Sequence, residues 1–360
     1  MPQTMKEAII HAGPKVEIRD VPIPEPGPRQ VVIKVVYSGS NPKDWKIPEL
    51  AERYKGSESD DPMVKFIASQ PSLNQGDDIA GIVHSVGADV TEFKPGDRVA
   101  AFHEMMTPGG SYAEYALAWD HTTFFLPKDT SFEGGATIPL AAMTAAIGLF
   151  ASDRLALPTP INPATEPIPL VVYGGASAVG AFAIQLAQRS NIHPIIAVAG
   201  GGATLVEKYL DRSKGDTIVD YRQGNDAVVS GIKAALKGKP LRHAYDAVSE
   251  VEKGSVGNLS KVLDPQGSKA TFVLPLSEQP AAGITASNTN VGDAHKAQKD
   301  LAFVFFRLIT RGLEEGWFKP HPHEVIPGGL GGVQEALTKL KEGKASAIKY
   351  VFEIADTQGL

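Results

Sequence analysis

The 360-residue chain contains no cysteine. Disulfides, thiolate metal ligands and a cysteine nucleophile are therefore excluded. Aromatic residues make up only 7% of the chain, and no basic excess exists: 35 Lys and Arg stand against 41 Asp and Glu, a formal net charge of −6. A nucleic-acid partner would call for a basic stripe, and none is visible. No apolar run reaches the roughly 18–20 residues that cross a bilayer. The first residues, Met1-Pro2-Gln3-Thr4-Met5-Lys6, lack the apolar centre of a secretory leader, so the expected address is cytoplasmic.

What is present reads as an α/β protein. Its length exceeds what one core usually serves, so two domains are expected. Lys6 to Ile10 and Val16 to Val21 alternate apolar and polar as paired strands do, and Gln30 to Ser38 is a β-branched strand. Prolines from Pro22 to Pro28 force an extended loop. From Asn41-Pro42 to about Ser72 the chain is polar, helical in places and without a strong period. Such an excursion reads either as a lid or substrate wall, or as a variable loop. Asp78 to Gly87 and the stretch after Pro95-Gly96-Asp97 read as strands, and Gly109 to Ala116 is expected to open another. Several short strands with turns between them suggest a barrel-like β-domain.

The character changes near Ala136. Ile138 to Phe150 is apolar, Ala-rich and helix-like, and Pro158 to Pro169 is a proline-rich loop. From Leu170 to about Leu274 strands alternate with helices, the pattern of a parallel sheet with crossover helices. Val333 to Lys341 reads as an amphipathic helix and Ala347 to Glu353 as a strand.

The strongest motif is Leu170 to Tyr173 running through Gly174, Gly175, Ala176, Ser177, Ala178, Val179 and Gly180 into an apolar helix. A dinucleotide pyrophosphate approaches the backbone closely, so side chains there must be small. The helix start supplies unpaired N–H groups and a positive dipole end. A small residue at Gly180 lets helix and strand pack tightly. An ordinary βα turn is the competing reading. The next strand, Pro194 to Ala199, ends in Gly200-Gly201-Gly202 without the acidic residue that usually binds the ribose hydroxyls of NAD. That absence favours NADPH over NADH. Lys208, Tyr221 and Arg222 are nearby candidates for the 2′-phosphate, with a solvated helix charge as the alternative for Lys208.

Four stretches, Gln30 to Asp44, Gly76 to Val99, Gly109 to Tyr115 and the glycine-rich loop, resemble the medium-chain dehydrogenase/reductase superfamily in order and spacing. The closing Lys319-Pro320-His321-Pro322 and Gly328-Gly329-Leu330 are similar to its fungal branch of quinone-reductase-like proteins and enoyl reductases acting in trans with polyketide synthases. The resemblance implies a GroES-like β-barrel domain (1–137 and 308–360) and a Rossmann domain with a doubly wound parallel sheet (138–307). It places the active site in the cleft between them.

The resemblance further implies cleft or nicotinamide-contact roles for Asn41, Lys46 and Thr144. Lys46 would bond the cofactor ribose or the substrate carbonyl, and Thr144 the carboxamide. Ala199, Gly200, Val248 and Leu274 would be further cofactor positions. A solvated lysine and a back-bonded helix threonine are the alternatives for Lys46 and Thr144. Asp44 is expected to anchor its loop, and Tyr112 is equally readable as a strand aromatic.

The zinc-dependent branch has a cysteine where Ser40 or Asn41 stands and Gly-His-Glu where Gly76-Asp77-Asp78 stands, so no metal is expected. His84, His103, His121, His321 and His323 lack metal-like spacing and read as surface or packing residues. The activity implied is hydride delivery from NADPH to an activated double bond, of an enone or an enoyl polyketide-type substrate. A quinone reductase and a non-catalytic NADPH sensor are the alternatives. Lys43, Lys46, Arg53 and Lys55 are candidate contacts for a carrier protein, against the reading of an ordinary charged surface. Monomer and homodimer are both open. The resemblance implies that a dimer would use an edge strand of the Rossmann sheet, a contact that the Pro158–Pro169 insertion would obstruct or rearrange.

Overall fold

The computed structural model describes residues 3–70 and 72–360, so the reading of Met1 and Pro2 lies outside the described residues. In chain order the strands are β1 Thr4–His11, β2 Lys15–Pro22, β3 Gln30–Gly39, β4 Asp78–Val86, β5 Arg98–Phe102, β6 Tyr115–Trp119, β7 Thr123–Phe125, β8 Leu170–Tyr173, β9 Ile195–Ala199, β10 Thr217–Asp220, β11 His243–Asp246, β12 Ser268–Phe272, β13 Ile284–Asn288, β14 His323–Val325 and β15 Lys349–Glu353. The helices are α1 Lys43–Tyr54, α2 Pro62–Ala68, α3 Phe132–Gly135, α4 Pro139–Phe150, α5 Ala178–Arg189, α6 Ala203–Glu207, α7 Asn225–Leu236, α8 Ser255–Ser260, α9 Lys299–Glu315 and α10 Val333–Lys341.

Two compact units emerge. The first comprises Met1–Leu140, Phe306–Glu314 and Pro320–Leu360, and the second Ala141–Phe305 and Glu315–Lys319.

The first unit is built on a seven-stranded sheet in the order β14-β15-β3-β4-β5-β7, with β6 also paired to β3, and on the hairpin β1–β2. Alternation in β3 buries Val31, Ile33 and Val35 beside Ile79, Val83 and Val99 of its neighbours, with Tyr112 and Phe352 completing the core. Register shifts at Val32/Ile33 and Val35/Tyr37 let β3 bend as it pairs with β4. The polar excursion after Asn41 contains two helices, α1 and α2, although Pro48 lies inside α1.

Two strand boundaries fall later than expected. Gly109 to Glu114 is not strand; the strand starts at Tyr115. The backbone of that loop is held partly by Asn74, whose Nδ2 donates to Gly110 O (2.9 Å) and whose Oδ1 accepts from Tyr112 N (3.1 Å), and partly by isolated backbone bonds such as Ala8 N to Tyr112 O (2.8 Å) and Ser111 N to Gly76 O (2.8 Å). With its polar groups paired by these scattered partners, the loop makes only a single bridge, Ala113 to Glu7, and no continuous ladder. At the C-terminal end the strand begins at Lys349, because Ala347 has a φ of 56° that no strand residue adopts.

The second unit holds six strands in the order β10-β9-β8-β11-β12-β13, every adjacent pair parallel. The chain builds outward from β8 through β9 to β10, then returns to β11 on the other side of β8 and builds through β12 to β13. The direction of winding therefore reverses between β8 and β11, where the loops leaving two neighbouring strands diverge. The strands are short and buried on both faces, and for that reason Leu170–Tyr173 and Ile195–Ala199 read as continuous apolar runs. The run Phe132–Phe150 passes for a membrane-crossing helix by length and apolarity, but 89% of it is buried inside the protein.

Candidate active site

The second unit gathers the glycine-rich residues at the reversal point. Gly174, directly after β8, has a φ of +78°. A Cβ there would stand 2.6 Å from Val248 Cγ2, so the loop after β11 lies against it. Gly174 and Gly175 both donate to Val198 O at 3.0 Å. Ser177 caps α5 by accepting from Gly180 N at 3.1 Å, and a Cβ on Gly180 would collide with Gly174 O. The glycine at that position is therefore a requirement of close packing between helix and loop. The cap satisfies one first-turn N–H. Those of Ala178 and Val179 face outward along the helix axis, as the geometry of any helix start dictates. Ala176, Ser177, Ala178 and Val179 are half-buried, within reach of a ligand.

The loop after β11 carries a device the sequence reading missed. Asp246, fully buried at the end of β11, accepts from Val248 N (2.9 Å) and Ser249 N (2.8 Å) through Oδ1. Ser249 Oγ in turn donates to Asp246 O (2.9 Å) and accepts from Val273 N (2.9 Å), one residue before Leu274. The loops after β8, β11 and β12 are thereby tied into one rim bearing Gly174, Val248 and Leu274. Burial raises the Asp246 carboxyl above its ordinary range, against the bonds it accepts. The signal was a strand, His-Ala-Tyr-Asp, ending on a carboxylate followed by small residues. Thr144 sits in α4, 5% exposed, and its carbonyl accepts from Tyr245 Oη at 2.8 Å.

At the next strand end Ala199 is buried and is followed by Gly200. A Cβ on Gly200 would lie 2.7 Å from Tyr221 Cε1, so the half-exposed Tyr221 ring lies across that end of β9. No carboxylate stands at the end of β9. The carboxylate at the end of β10, Asp220, is gripped by Arg222 at 2.9, 3.1 and 2.6 Å, which holds its acid well down at about 2. Arg222 is thus already engaged, whereas Lys208 is exposed just past α6.

These features fit a dinucleotide. The cradle has small side chains where a Cβ would collide, a capped helix start and no acid at the strand that would meet a 2′-phosphate.

The first unit assembles a different centre. Asn41 Nδ2 donates to Asp78 Oδ2 (2.8 Å), and Lys349 Nζ donates to Asn41 Oδ1 (3.0 Å) and pairs with Asp78 Oδ2. Asp78 Oδ1 accepts from Leu140 N at 2.6 Å, in the first turn of α4. Beside this triad, Asp44 Oδ2 accepts from Asn41 N (2.7 Å) and Tyr112 Oη (2.6 Å). Lys43 Nζ bonds Gln75 O (2.6 Å), lies 3.1 Å from Asp44 Oδ1 and pairs with Asp77. Asp44 does anchor the loop, and Tyr112 is not in a strand: it is a buried donor to Asp44. Burial pushes both Asp44 and Asp77 up to about 6, with Lys43 opposing the shift. Burial alone would lower the Lys43 ammonium, but Asp77 and Asp44 outweigh it and hold it above its ordinary value.

Lys43 fits neither a carrier-protein contact nor an ordinary charged surface. It is instead locked among carboxylates, leaving Arg53 and Lys55 exposed and Lys46 half-buried with its ammonium 5.6 Å from the Trp45 ring. Asp77 and Asp78, where the zinc-dependent branch has metal ligands, are each paired with a lysine. A cation bound there would have to displace an ammonium, so these residues do not fit a metal. Among the described residues no group of three or more His, Asp or Glu is placed to hold one. His103 is buried with its ring nitrogens 2.7 Å from Leu117 O and 3.1 Å from Thr107 O, a packing role. His321 is buried and pushed down to about 3 by desolvation, then by Lys349 and His323.

Comparison with known proteins agrees with these features. Residues 27–128 match the alcohol dehydrogenase GroES-like domain. The chain is 48% identical over 330 residues to the trans-enoyl reductase fsr4 of Gibberella fujikuroi, covering 90% of this chain and 91% of that protein. It is 27% identical over 358 residues to the trans-enoyl reductase poxP of Penicillium oxalicum, covering 92% and 88%. Among solved structures, CurK enoyl reductase superposes with a TM-score of 0.74 at 18% identity over 97% of this chain and 99% of that one. The quinone oxidoreductase of Coxiella burnetii does so with a TM-score of 0.70 at 19% identity over 98% and 99%. The fold is shared with both, and the 48% match over nine-tenths of each chain places this protein in the trans-enoyl reductase family.

Proposed function

We propose that this oxidoreductase reduces the activated double bond of an α,β-unsaturated carbonyl compound, a polyketide-type enoyl group, with NADPH as the hydride source. The observation that carries the reading is the cradle of Gly174, Ser177 and Gly180 at the winding reversal, joined to relatives named as trans-enoyl reductases. The cofactor supplies hydride to the β-carbon.

The chain's own part is binding and charge placement. Gly174, Gly175 and Gly180 clear the space for the pyrophosphate, the N–H groups of Ala178 and Val179 face it, and Val248 and Leu274 form the apolar rim. The strand end Ala199-Gly200 carries no acidic residue of its own against a 2′-phosphate, the Tyr221 ring lies across it, and the exposed Lys208 follows at the end of the next helix. As hydride arrives, the substrate carbonyl oxygen becomes enolate-like, and donors aimed at that oxygen stabilise it more than they stabilise the substrate. Asn41 and Lys46 are the donors we assign to it, and Thr144 the residue we assign to the nicotinamide carboxamide. Arg53 and Lys55 remain as cations for an acidic carrier domain bearing the substrate.

The test is a titration with NADPH and with NADH followed by fluorescence. Acceptors are then added: an enoyl thioester such as S-crotonyl-N-acetylcysteamine, an enone and a quinone. The expected result is tighter NADPH binding and thioester-dependent loss of reduced-nicotinamide absorbance, unaffected by a metal chelator. Turnover with the quinone alone would establish a quinone reductase, and binding without turnover of any acceptor a sensor.

A further inference from the structure

Asn41 is held in an orientation that the chemistry of its neighbours dictates. An ammonium can only donate and an ionised carboxylate can only accept. The carboxamide atom 3.0 Å from Lys349 Nζ must therefore be oxygen, and the atom 2.8 Å from Asp78 Oδ2 must be nitrogen. The amide cannot flip without setting donor against donor and acceptor against acceptor. One Nδ2 hydrogen is consumed by Asp78. The other has no acceptor within this network and points away from it, because the two hydrogens of an amide nitrogen lie in one plane about 120° apart.

The two charges act oppositely on that second hydrogen. Donating to an anion pushes electron density onto the nitrogen and weakens its other N–H. A cation at Oδ1 draws density toward oxygen and strengthens it. With Asp78 alone Asn41 would be well oriented and a poor donor. With Lys349 in place it is oriented and polarised. The pairing is buried, Lys349 being 4% exposed and Asp78 0%, so solvent does not screen it. Asp78 is itself held by Leu140 N through its other oxygen, so the triad cannot turn as a body.

We propose that Lys349 is a positioning residue for the reduction: it locks and polarises the Asn41 carboxamide, together with Asp78, so that the remaining Nδ2 hydrogen is the donor to the substrate's developing enolate oxygen. This rests on the assignment of Asn41 to that oxygen made above. Lys349 never touches substrate. It acts through Asn41, and the measurable consequence is energetic coupling between the two.

The experiment is a cycle on the full chain with NADPH and S-crotonyl-N-acetylcysteamine. Its first arm is Asn41→Ala. Its second is the pair Lys349→Met with Asp78→Asn, which removes both buried charges together and leaves neither unpaired. Its third combines all of these. Asn41→Ala is expected to lower kcat about 100-fold, the effect of losing one oxyanion donor. The charge-neutral pair is expected to lower kcat about 10-fold while Asn41 is present, and less than about 2-fold once it is alanine. The dissociation constant for NADPH stays within about 2-fold throughout, since a purely stabilising role would show no such kcat-specific coupling. If the pair costs the same factor with and without Asn41, Lys349 does not act through Asn41 and the proposal is overturned, while the assignment of Asn41 stands. If Asn41→Ala leaves kcat unchanged, that assignment itself falls, and the proposal with it.

Discussion

The two units solve the problem of placing polar chemistry in opposite ways. In the second, the rim around Gly174 is made of backbone: small residues, a capped helix start and a carboxylate, Asp246, spent on holding loop N–H groups. In the first, the centre is made of buried charge, with Lys43 and Lys349 set among Asp44, Asp77 and Asp78. A backbone site loses its ligand when a side chain intrudes. A buried charge cluster loses its fold when one charge is removed, because the partners left behind are desolvated and unpaired.

The comparison is broken most forcefully at Lys43. Lys43→Met leaves Asp44 and Asp77 buried without their cation, and a loss of about 3–5 kcal/mol is expected. Urea unfolding midpoints measure it. Adding Asp77→Asn should return much of that loss, since one of the two orphaned charges disappears. A loss under about 1 kcal/mol would mean that the cluster holds a proton in place of a charge pair.

The second unit should respond first in binding. Gly180→Val puts a branched side chain against Gly174 O. NADPH binding is expected to weaken about 100-fold or more, equivalent to about 3 kcal/mol. The thermal midpoint should fall as well, because the added Cβ meets backbone at Gly174 and Gly175, and titration beside a melting curve separates the two effects.

Much of the second unit was legible and little of the first unit's centre was. Leu170–Tyr173 followed by Gly174 to Gly180 can be read from sequence because the whole device is local: strand, turn and helix are contiguous and their composition is set by close approach. The helix at Val333–Lys341 was legible for the same reason, through its 3.6-residue period. Lys43 carries no such signal. Beside Pro42 and Asp44 it reads as a solvated residue opening a helix, and its second carboxylate, Asp77, lies far along the chain. Lys349 is harder still, since its partners Asn41 and Asp78 come from the far end of the sequence. The loop Gly109–Glu114 looked like strand because its satisfying partner, Asn74, is equally remote. Local rules see periodicity and turns; they do not see pairing at a distance.

The charge cluster also makes a pH prediction that the glycine cradle does not. Asp44 and Asp77 are pushed from an ordinary 3.8 to about 6 by burial. Raised carboxyls bind protons more tightly in the folded chain than in the unfolded one. Their contribution to stability is therefore complete below about pH 4 and is lost as pH rises through about 6. Across that window the folding free energy should fall by about 1–3 kcal/mol from this source. Asp77→Asn should flatten the slope, as read from urea midpoints at half-unit intervals, whereas Gly180→Val should leave it unchanged. A slope that persists in Asp77→Asn and in Asp44→Asn would assign the titration elsewhere.

The smallest effect expected concerns the choice between the two cofactors, and it sharpens the backbone side of the comparison. No acidic residue belongs to the end of β9 itself, the neighbouring Asp220 is paired with Arg222, and Gly201 is exposed there. Gly201→Asp adds a carboxylate at the surface without entering the core, so stability should change by less than about 0.5 kcal/mol. A unit charge about 4–6 Å from a 2′-phosphate in a solvated setting costs roughly 1 kcal/mol. The preference for NADPH over NADH should then fall about fivefold to tenfold, chiefly by weaker NADPH binding. Raising the salt concentration should shrink the difference, since an exposed repulsion is screened. An unchanged ratio would remove Gly200-Gly201-Gly202 from the adenosine ribose. The burden of discrimination would then pass to Lys208 and Tyr221, where Lys208→Ala should lower NADPH affinity and leave NADH untouched.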